Sequence, residues 1–201
     1  IVLENQYVRS VGQRASGKST LLHLIAGLAS PDLGQITVDG QRIDNLSRSA
    51  VTRIRLHKIG FVFQNYSLLP VLTAYENAEY VLLLQGVSEA KRRQQITQLL
   101  ARVGLADKHH RFPNELSGGE QQRVAIVRAI ASNPALVLAD EPTGDLDRES
   151  ATAVMELLSR LNSEQGRTIV MVTHDPRTTE WADTVLHLEK GQLVEQTVRT
   201  A

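Results

Sequence analysis

Apolar positions fall into two alternating rhythms along the chain, and their order predicts a fold. Residues 7–11 read as a short strand. Residues 18–28 follow with Leu21, Leu22, Leu24, Ile25 and Leu28 at the spacing of one helical face. Pro31, Asp32 and Gly34 break that helix before a short strand at 35–38 and an Asp39-Gly40 turn. Another apolar strand, 59–63, ends at Gln64. From there to about Pro134 the pattern is mostly helical: one helix over 73–85, a second capped by Ser88 and running to about 103 with Glu89 in its first turn, and a third capped by Ser117 over about 119–132. Strands return at 135–139 and 168–173, with a helix over about 148–162 between them, and 185–189 with 192–195 reads as a hairpin around Lys190-Gly191. Strand, helix, strand at this spacing implies right-handed crossovers and a parallel sheet. The predicted architecture is α/β: a parallel-sheet core in two stretches, 1–64 and 134–201, with a helical lobe over 65–133 inserted between them and a β-hairpin near the C-terminus. No internal repeat or low-complexity segment interrupts this plan.

Composition narrows the function without naming it. With 201 residues the chain is long enough to bury a substantial core, and 42% apolar residues is ordinary for a globular protein. Lys plus Arg and Asp plus Glu each total 22, and no basic run stands out, so the electrostatic footprint of a nucleic-acid binder is missing. A balanced net charge still leaves room for a local contact with a membrane-bound partner. There is no cysteine, which fits a reducing compartment and removes disulfide and thiolate chemistry. Apolar runs such as 81–84 and 135–139 fall far short of the roughly 20 residues that span a bilayer, and no stretch reads as a secretory signal. The chain opens on Ile1 rather than Met, so its natural beginning is expected to lie upstream.

Three stretches carry chemistry. Gly12-Gln13-Arg14-Ala15-Ser16-Gly17-Lys18-Ser19-Thr20 satisfies the phosphate-loop pattern G-x-x-x-x-G-K-[ST] between a strand and a helix. In such a loop the glycines allow a tight path, successive N–H groups face phosphate oxygens, and the helix N-terminus adds partial positive charge. Lys18 would reach the β/γ-phosphates and the Ser19 hydroxyl would ligate Mg²⁺. Read alone, the stretch also fits a glycine-rich turn with a surface lysine. The second stretch, an apolar strand ending in Asp140-Glu141, places carboxylates at the edge of a parallel sheet where ligands bind. Asp140 suits Mg²⁺ held through water and Glu141 suits a base for an attacking water, although two solvated acids before Pro142 explain the pair as well. The third, Leu116-Ser117-Gly118-Gly119-Glu120-Gln121-Gln122-Arg123, makes a second anion-binding helix N-terminus. An ordinary capped helix explains Ser117 and Glu120 but gives no reason for paired glycines.

That octet resembles the signature motif of ATP-binding cassette (ABC) ATPases, and the resemblance covers almost the whole chain in the family's motif order. It implies a P-loop NTPase parallel-sheet core (RecA-like, 1–64 and 134–201) with an inserted helical subdomain. It also implies a head-to-tail homodimer that sandwiches two ATP molecules. Each ATP would be held by Gly12, Ala15, Ser16, Gly17, Lys18, Ser19 and Thr20 of one copy and by Ser117, Gly118 and Gly119 of the other. Gln64 matches the Q-loop glutamine that senses Mg²⁺ and the γ-phosphate, so Ser19, Gln64 and Asp140 form the implied metal set. Glu141 and the switch histidine His174, with Gln64, form the implied catalytic set. Asp147, in a Thr143-Gly144-Asp145-Leu146-Asp147 D-loop, would contact the opposite copy, and it also fits a helix N-cap. His109 and His110 have no such context and read as exposed loop residues.

A finer resemblance is carried by 63–70, 72–77 and 139–144, which look like the lipoprotein-release and macrolide-export branch. It implies a transmembrane permease partner and a peripheral place on the cytoplasmic side of the inner membrane. Leu68, Leu69 and Leu72 fit either that docking interface or the interior of the helical lobe.

The chain also departs from the family. Gln13, Arg14 and Ala15 replace small, Pro or Gly residues, and Arg9 and Ser10 interrupt a strand that is usually apolar. An unpaired arginine in a central parallel strand would cost several kcal/mol, so Arg9 is expected to find a partner or a wet edge, unless this segment is altered from its functional parent. By the resemblance, the strands that carry the family's adenine-stacking aromatic are expected to lie upstream of this sequence, and Tyr7 reads as a core residue. A non-transport ABC module and a scaffold with an impaired phosphate loop remain rival readings, whereas a small-molecule P-loop kinase has no account of 116–123. The transported substrate is read by membrane or periplasmic parts, outside this sequence.

Overall fold

The computed structural model describes residues 6–12, 16–175, 178 and 181–198. In chain order it contains β1 (Tyr7–Val11), α1 (Lys18–Ile25), β2 (Thr37–Val38), β3 (Gln41–Arg42), α2 (Arg48–Lys58), β4 (Ile59–Val62), α3 (Ala74–Leu84) and α4 (Glu89–Arg102). A 3-10 turn at Pro113–Glu115 then leads into α5 (Gly118–Ile130), β5 (Leu136–Asp140), α6 (Arg148–Gln165), β6 (Thr168–Val172), β7 (Thr184–Glu189) and β8 (Gln192–Val198).

The main sheet is six-stranded in the order β4-β5-β6-β1-β7-β8. Neighbouring strands from β4 through β7 pair in parallel, and β8 returns antiparallel to β7. Side chains alternate across it. Tyr7, Val137, Ala139, Ile169 and Met171 face one core with Ile126, Met155 and Leu158 from α5 and α6. Val8, Leu136, Leu138, Val170 and Val172 face another with Leu22 and Ile54 from α1 and α2. Both faces are covered, which is why β5 and β6 read as continuous apolar runs, whereas Arg9 and Ser10 interrupt β1. Tyr7 is the core residue that was expected, and burial raises its hydroxyl pKa above the ordinary tyrosine value.

Arg9 lies in the middle of this sheet, 3% exposed, between Met171 of β6 and Val185 of β7. The expected partner exists: Nη2 donates to the backbone carbonyl of Asp175 at 2.7 Å.

Helices α3, α4 and α5 enclose a third core built on Ala78, Leu82, Ile96, Leu100, Val124 and Val127. Helix α5 serves two cores at once, turning Ile126 and Ile130 to the sheet and Val124 and Val127 to the other helices. A helix with apolar residues on so much of its surface belongs inside. The loop before α3 is organised by Asn77, which is fully buried. Its Nδ2 donates to the carbonyls of Leu69, Leu72 and Thr73, and its Oδ1 accepts from the Leu69 amide at 2.8 Å. Leu68 packs on the helical core and Leu72 is half-buried, while Leu69 and Val71 are exposed.

The structure corrects several sequence expectations. Helix α2 carried no apolar stripe to announce it, because only Ile54 is buried along its length. Its N-cap Ser47, which accepts from the Ala50 amide at 3.3 Å, was the available signal. Helix α1 stops at Ile25, ahead of a left-handed turn at Gly27 (φ 64), rather than reaching Leu28. Ser88 occupies the N-cap position of α4 without a side-chain capping bond. His109 is half-buried against the Tyr75 ring rather than an exposed loop residue, and burial lowers its pKa; His110 is exposed.

Replacing Asn77 by Ala would strip the Leu69–Thr73 loop of its buried partner. We expect a loss of about 2–4 kcal/mol in denaturant unfolding, together with faster amide exchange at Leu69.

Candidate functional site

Parallel pairing aligns strand ends, so residues just past β1, β5 and β6 emerge along one edge. At the end of β1 the chain passes Gly12, where a Cβ would stand 2.1 Å from the Leu188 carbonyl oxygen and 2.6 Å from Ser16 Oγ. Only glycine fits between β7 and the returning loop. Gly17 then takes a left-handed conformation (φ 93) as N-cap of α1. The Ser16 carbonyl accepts from the Gly191 amide at 3.0 Å, so the turn between β7 and β8 braces the loop. Lys18 is buried, and its ammonium donates to the Gly12 carbonyl at 2.9 Å and to Ser16 Oγ at 3.2 Å. Ser19 and Thr20 are exposed. Gln13, Arg14 and Ala15 lie outside the described residues, so the expected contribution of Ala15 has no structural counterpart here.

Strand β5 supplies the acids. Ser19 Oγ donates to Asp140 Oδ1 at 3.1 Å, joining the start of α1 to the end of β5. Burial pushes the Asp140 carboxyl above its ordinary pKa, and the Ser19 hydroxyl opposes that shift. Glu141 follows in a left-handed conformation (φ 47) that costs a non-glycine residue on the order of 1–2 kcal/mol. Its amide still reaches the Val172 carbonyl at 2.9 Å. Its side chain meets His174 twice, Oε1 against Nδ1 at 2.8 Å and Oε2 accepting the backbone amide at 3.3 Å. Asp140 pairs with Val172 in the β5–β6 register, and this adjacency delivers Glu141 and His174 to each other.

The remaining candidates sit apart from these contacts. Gln64 is exposed in the turn after β4, with its Nε2 3.4 Å from the position a Cβ on Gly144 would take. Ser117 caps α5 in a reciprocal box, accepting from the Glu120 amide while Glu120 accepts from the Ser117 amide at 2.8 Å. The paired glycines have a packing reason that the sequence did not reveal. A Cβ on Gly118 would meet the Tyr66 hydroxyl at 2.8 Å, and one on Gly119 would meet Ser150 Oγ at 2.5 Å and its Cβ at 2.8 Å. Asp147 caps α6, accepting from the Ser150 amide at 2.9 Å and the Ser150 hydroxyl at 2.8 Å; these bonds hold its pKa below the ordinary value.

Two supporting residues escaped the sequence reading. Buried Gln122 donates from Nε2 to the Pro142 carbonyl at 2.7 Å, tying α5 to the loop after Glu141. Arg128 donates to the Tyr66 and Ser67 carbonyls at 2.9 and 2.6 Å, clamping two successive left-handed residues (φ 60 and 48) just past Gln64. Gln122 lies within the signature octet, so its position was marked if not its role; Arg128 carried no signal, because its partners are backbone carbonyls far along the chain.

The edge fits a nucleotide triphosphate: a glycine-bounded loop at a helix N-terminus, a buried lysine folded across it, and an acid and a histidine beyond. Among the described residues no cluster of three or more His, Cys, Asp or Glu would hold a metal by itself. A single hydroxyl–carboxylate pair such as Ser19–Asp140 suits a magnesium ion whose remaining ligands are phosphate oxygens and water. Among the described residues no helix is long and apolar enough to cross a membrane.

Comparison with known proteins agrees with this geometry. The family model described as ABC transporter matches residues 2–144. An uncharacterised ABC transporter ATP-binding protein of Mycobacterium tuberculosis is 46% identical over 189 residues, covering 94% of this chain and 76% of the relative. The lipoprotein-releasing system ATP-binding protein LolD of Bordetella pertussis is 44% identical over 192 residues, covering 96% and 83%. Among solved structures, the dimeric ATP-binding cassette MJ0796 in a post-hydrolysis state bound to ADP and Pi superposes with a TM-score of 0.91 at 38% identity, covering 98% of this chain and 88% of that one. The chain belongs to the ABC transporter ATP-binding proteins, an ATP-hydrolysing family.

The packing at Gly119 is testable without nucleotide. Gly119→Ala should lower the stability of the nucleotide-free protein by about 1–3 kcal/mol through overpacking, and adding Ser150→Gly should recover part of that loss in thermal melting.

Proposed function

We propose that this ABC-family chain is the ATP-hydrolysing subunit that drives a membrane permease in export or lipoprotein release. In this reading residues 1–64 and 134–201 form the catalytic core and 65–133 the lobe that meets the permease, placing the chain peripherally on the cytoplasmic face of the inner membrane. The observation that carries the chemistry is the pair of contacts at one sheet edge, Ser19 with Asp140 and Glu141 with His174.

Lys18 balances phosphate charge at the loop, assisted by the α1 N-terminus. Magnesium would be held by Ser19 and Asp140 with Gln64 reaching in from the end of β4, and would neutralise charge on the phosphates. Glu141 takes the proton of the attacking water, and His174, anchored on Glu141, contacts the γ-phosphate.

Among the described residues, Ser117, Gly118 and Gly119 have Glu120, Tyr66 and Ser150 as neighbours. We assign this N-terminus to the ATP of a second copy, a reading supported by the dimeric state of the MJ0796 cassette. Asp147 keeps its capping role and stands at the same boundary. Exposed Leu69 and Val71, with Tyr80, Leu83 and Leu84 of α3, are apolar surface that a permease would cover. The lipoprotein-releasing relative supports the choice of branch.

Glu141→Gln keeps the shape of the side chain and removes the base. ATP binding should persist, hydrolysis should fall by roughly 10²-fold or more, and the dimer should accumulate with ATP in size-exclusion chromatography. Hydrolysis at the parent rate in this variant would refute the assignment.

A further inference from the structure

We infer that Arg9 is a positioning residue of the hydrolytic site, holding the loop that carries His174 in register with Glu141. The inference rests on the functional reading above for its consequence, and on the geometry of strand β1 for its cause.

His174 follows directly on Thr173, which continues from β6, and precedes Asp175. Both flanking residues are fastened to consecutive residues of β1. The Thr173 amide donates to the Ser10 carbonyl at 3.2 Å, and the Asp175 carbonyl accepts Arg9 Nη2 at 2.7 Å. Thr178 adds its hydroxyl to the same carbonyl at 2.8 Å and its amide at 3.3 Å, while the Asp175 amide donates to Thr173 Oγ1 at 3.0 Å. His174 is thus held between two ties to the strand that also delivers the phosphate loop. The imidazole itself is half exposed and meets Glu141 at 2.8 Å. With so little burial of its own, its aim depends on the backbone on either side.

A charged side chain in a central parallel strand needs such a use, because an apolar side chain of similar volume is often as stable there or more so. Burial lowers the Arg9 pKa from its ordinary value, and Asp175, Tyr7 and Glu141, in that order, oppose the shift. Asp175 and Glu141, which follow and meet His174, are thus among its favourable neighbours. The guanidinium fork fixes direction as well as charge, which a lysine ammonium does less well.

The test uses the whole chain with Arg9→Met and Arg9→Lys. Steady-state ATP hydrolysis should show kcat about tenfold or more lower in Arg9→Met, with KM for ATP within about twofold of the parent, as expected when a reacting group is misplaced rather than binding lost. Arg9→Lys should fall between the parent and Arg9→Met. In nucleotide-free protein, amide exchange at His174 should be about tenfold faster in Arg9→Met, with Val137, Leu138 and Ala139 unchanged. The exchange readout decides the inference whether or not the chain hydrolyses ATP. A shifted His174 amide without parent hydrolysis would refute the functional reading and leave the positioning role standing. Parent-like exchange at His174 in Arg9→Met, or exchange in Arg9→Lys no slower than in Arg9→Met, would overturn the inference. If Arg9→Met does not fold, Arg9→Lys with parent-like exchange at His174 overturns it.

Discussion

The parallel register of β5, β6 and β1 is the constraint on which this molecule depends. Leu136 stands beside Thr168, and Ile169 stands beside both Val137 and Tyr7, so the three strands reach the same edge together. Gly12, Asp140, Glu141, Thr173 and His174 are the next residues out. Ser19 and Asp140, 121 positions apart, and Glu141 and His174, 33 apart, meet because of this alignment: a one-residue slip would turn Leu136 and Leu138 toward the wrong core and separate Glu141 from His174. Apolar burial on both faces of the sheet therefore fixes the chemistry as well as the fold.

Local structure at that edge is costly, and the cores below it hold it in place. Glu141 occupies a left-handed conformation, Asp140 is half-buried beside an exposed hydroxyl, and an arginine sits inside the sheet. None of these choices favours stability in isolation. Each aims a polar group along the line where the phosphate loop opens. Helix α5 connects this edge to the rest of the molecule. It belongs to the sheet core through Ile126 and to the helical core through Val124, it reaches the loop after Glu141 through Gln122, and it grips the turn after Gln64 through Arg128.

Much of this was legible in the sequence, for physical reasons that differ between elements. Strands β5 and β6 were visible because burial on two faces leaves unbroken apolar runs, and the acid and histidine positions because each follows such a run. Helix α2 was not visible, since a surface helix with Ile54 alone buried has no stripe. The paired glycines before α5 were read only as an anion site, while their contacts with Tyr66 and Ser150 come from chain segments on either side that no local pattern links. Asn77 and Arg128 were silent for a related reason: each serves backbone carbonyls, which carry no residue-type signature. Arg9 was noticed as an anomaly of the strand, and its partner is a carbonyl beside His174.

In the proposed function this edge is half of an ATP-hydrolysing site, and a second copy of the chain completes it. The most direct measurement is specific ATPase activity across a range of protein concentrations, with the association state followed by sedimentation in the same buffer. The account predicts activity that rises with concentration in step with the ATP-bound dimer. Full specific activity from a chain that sediments as a monomer would contradict it.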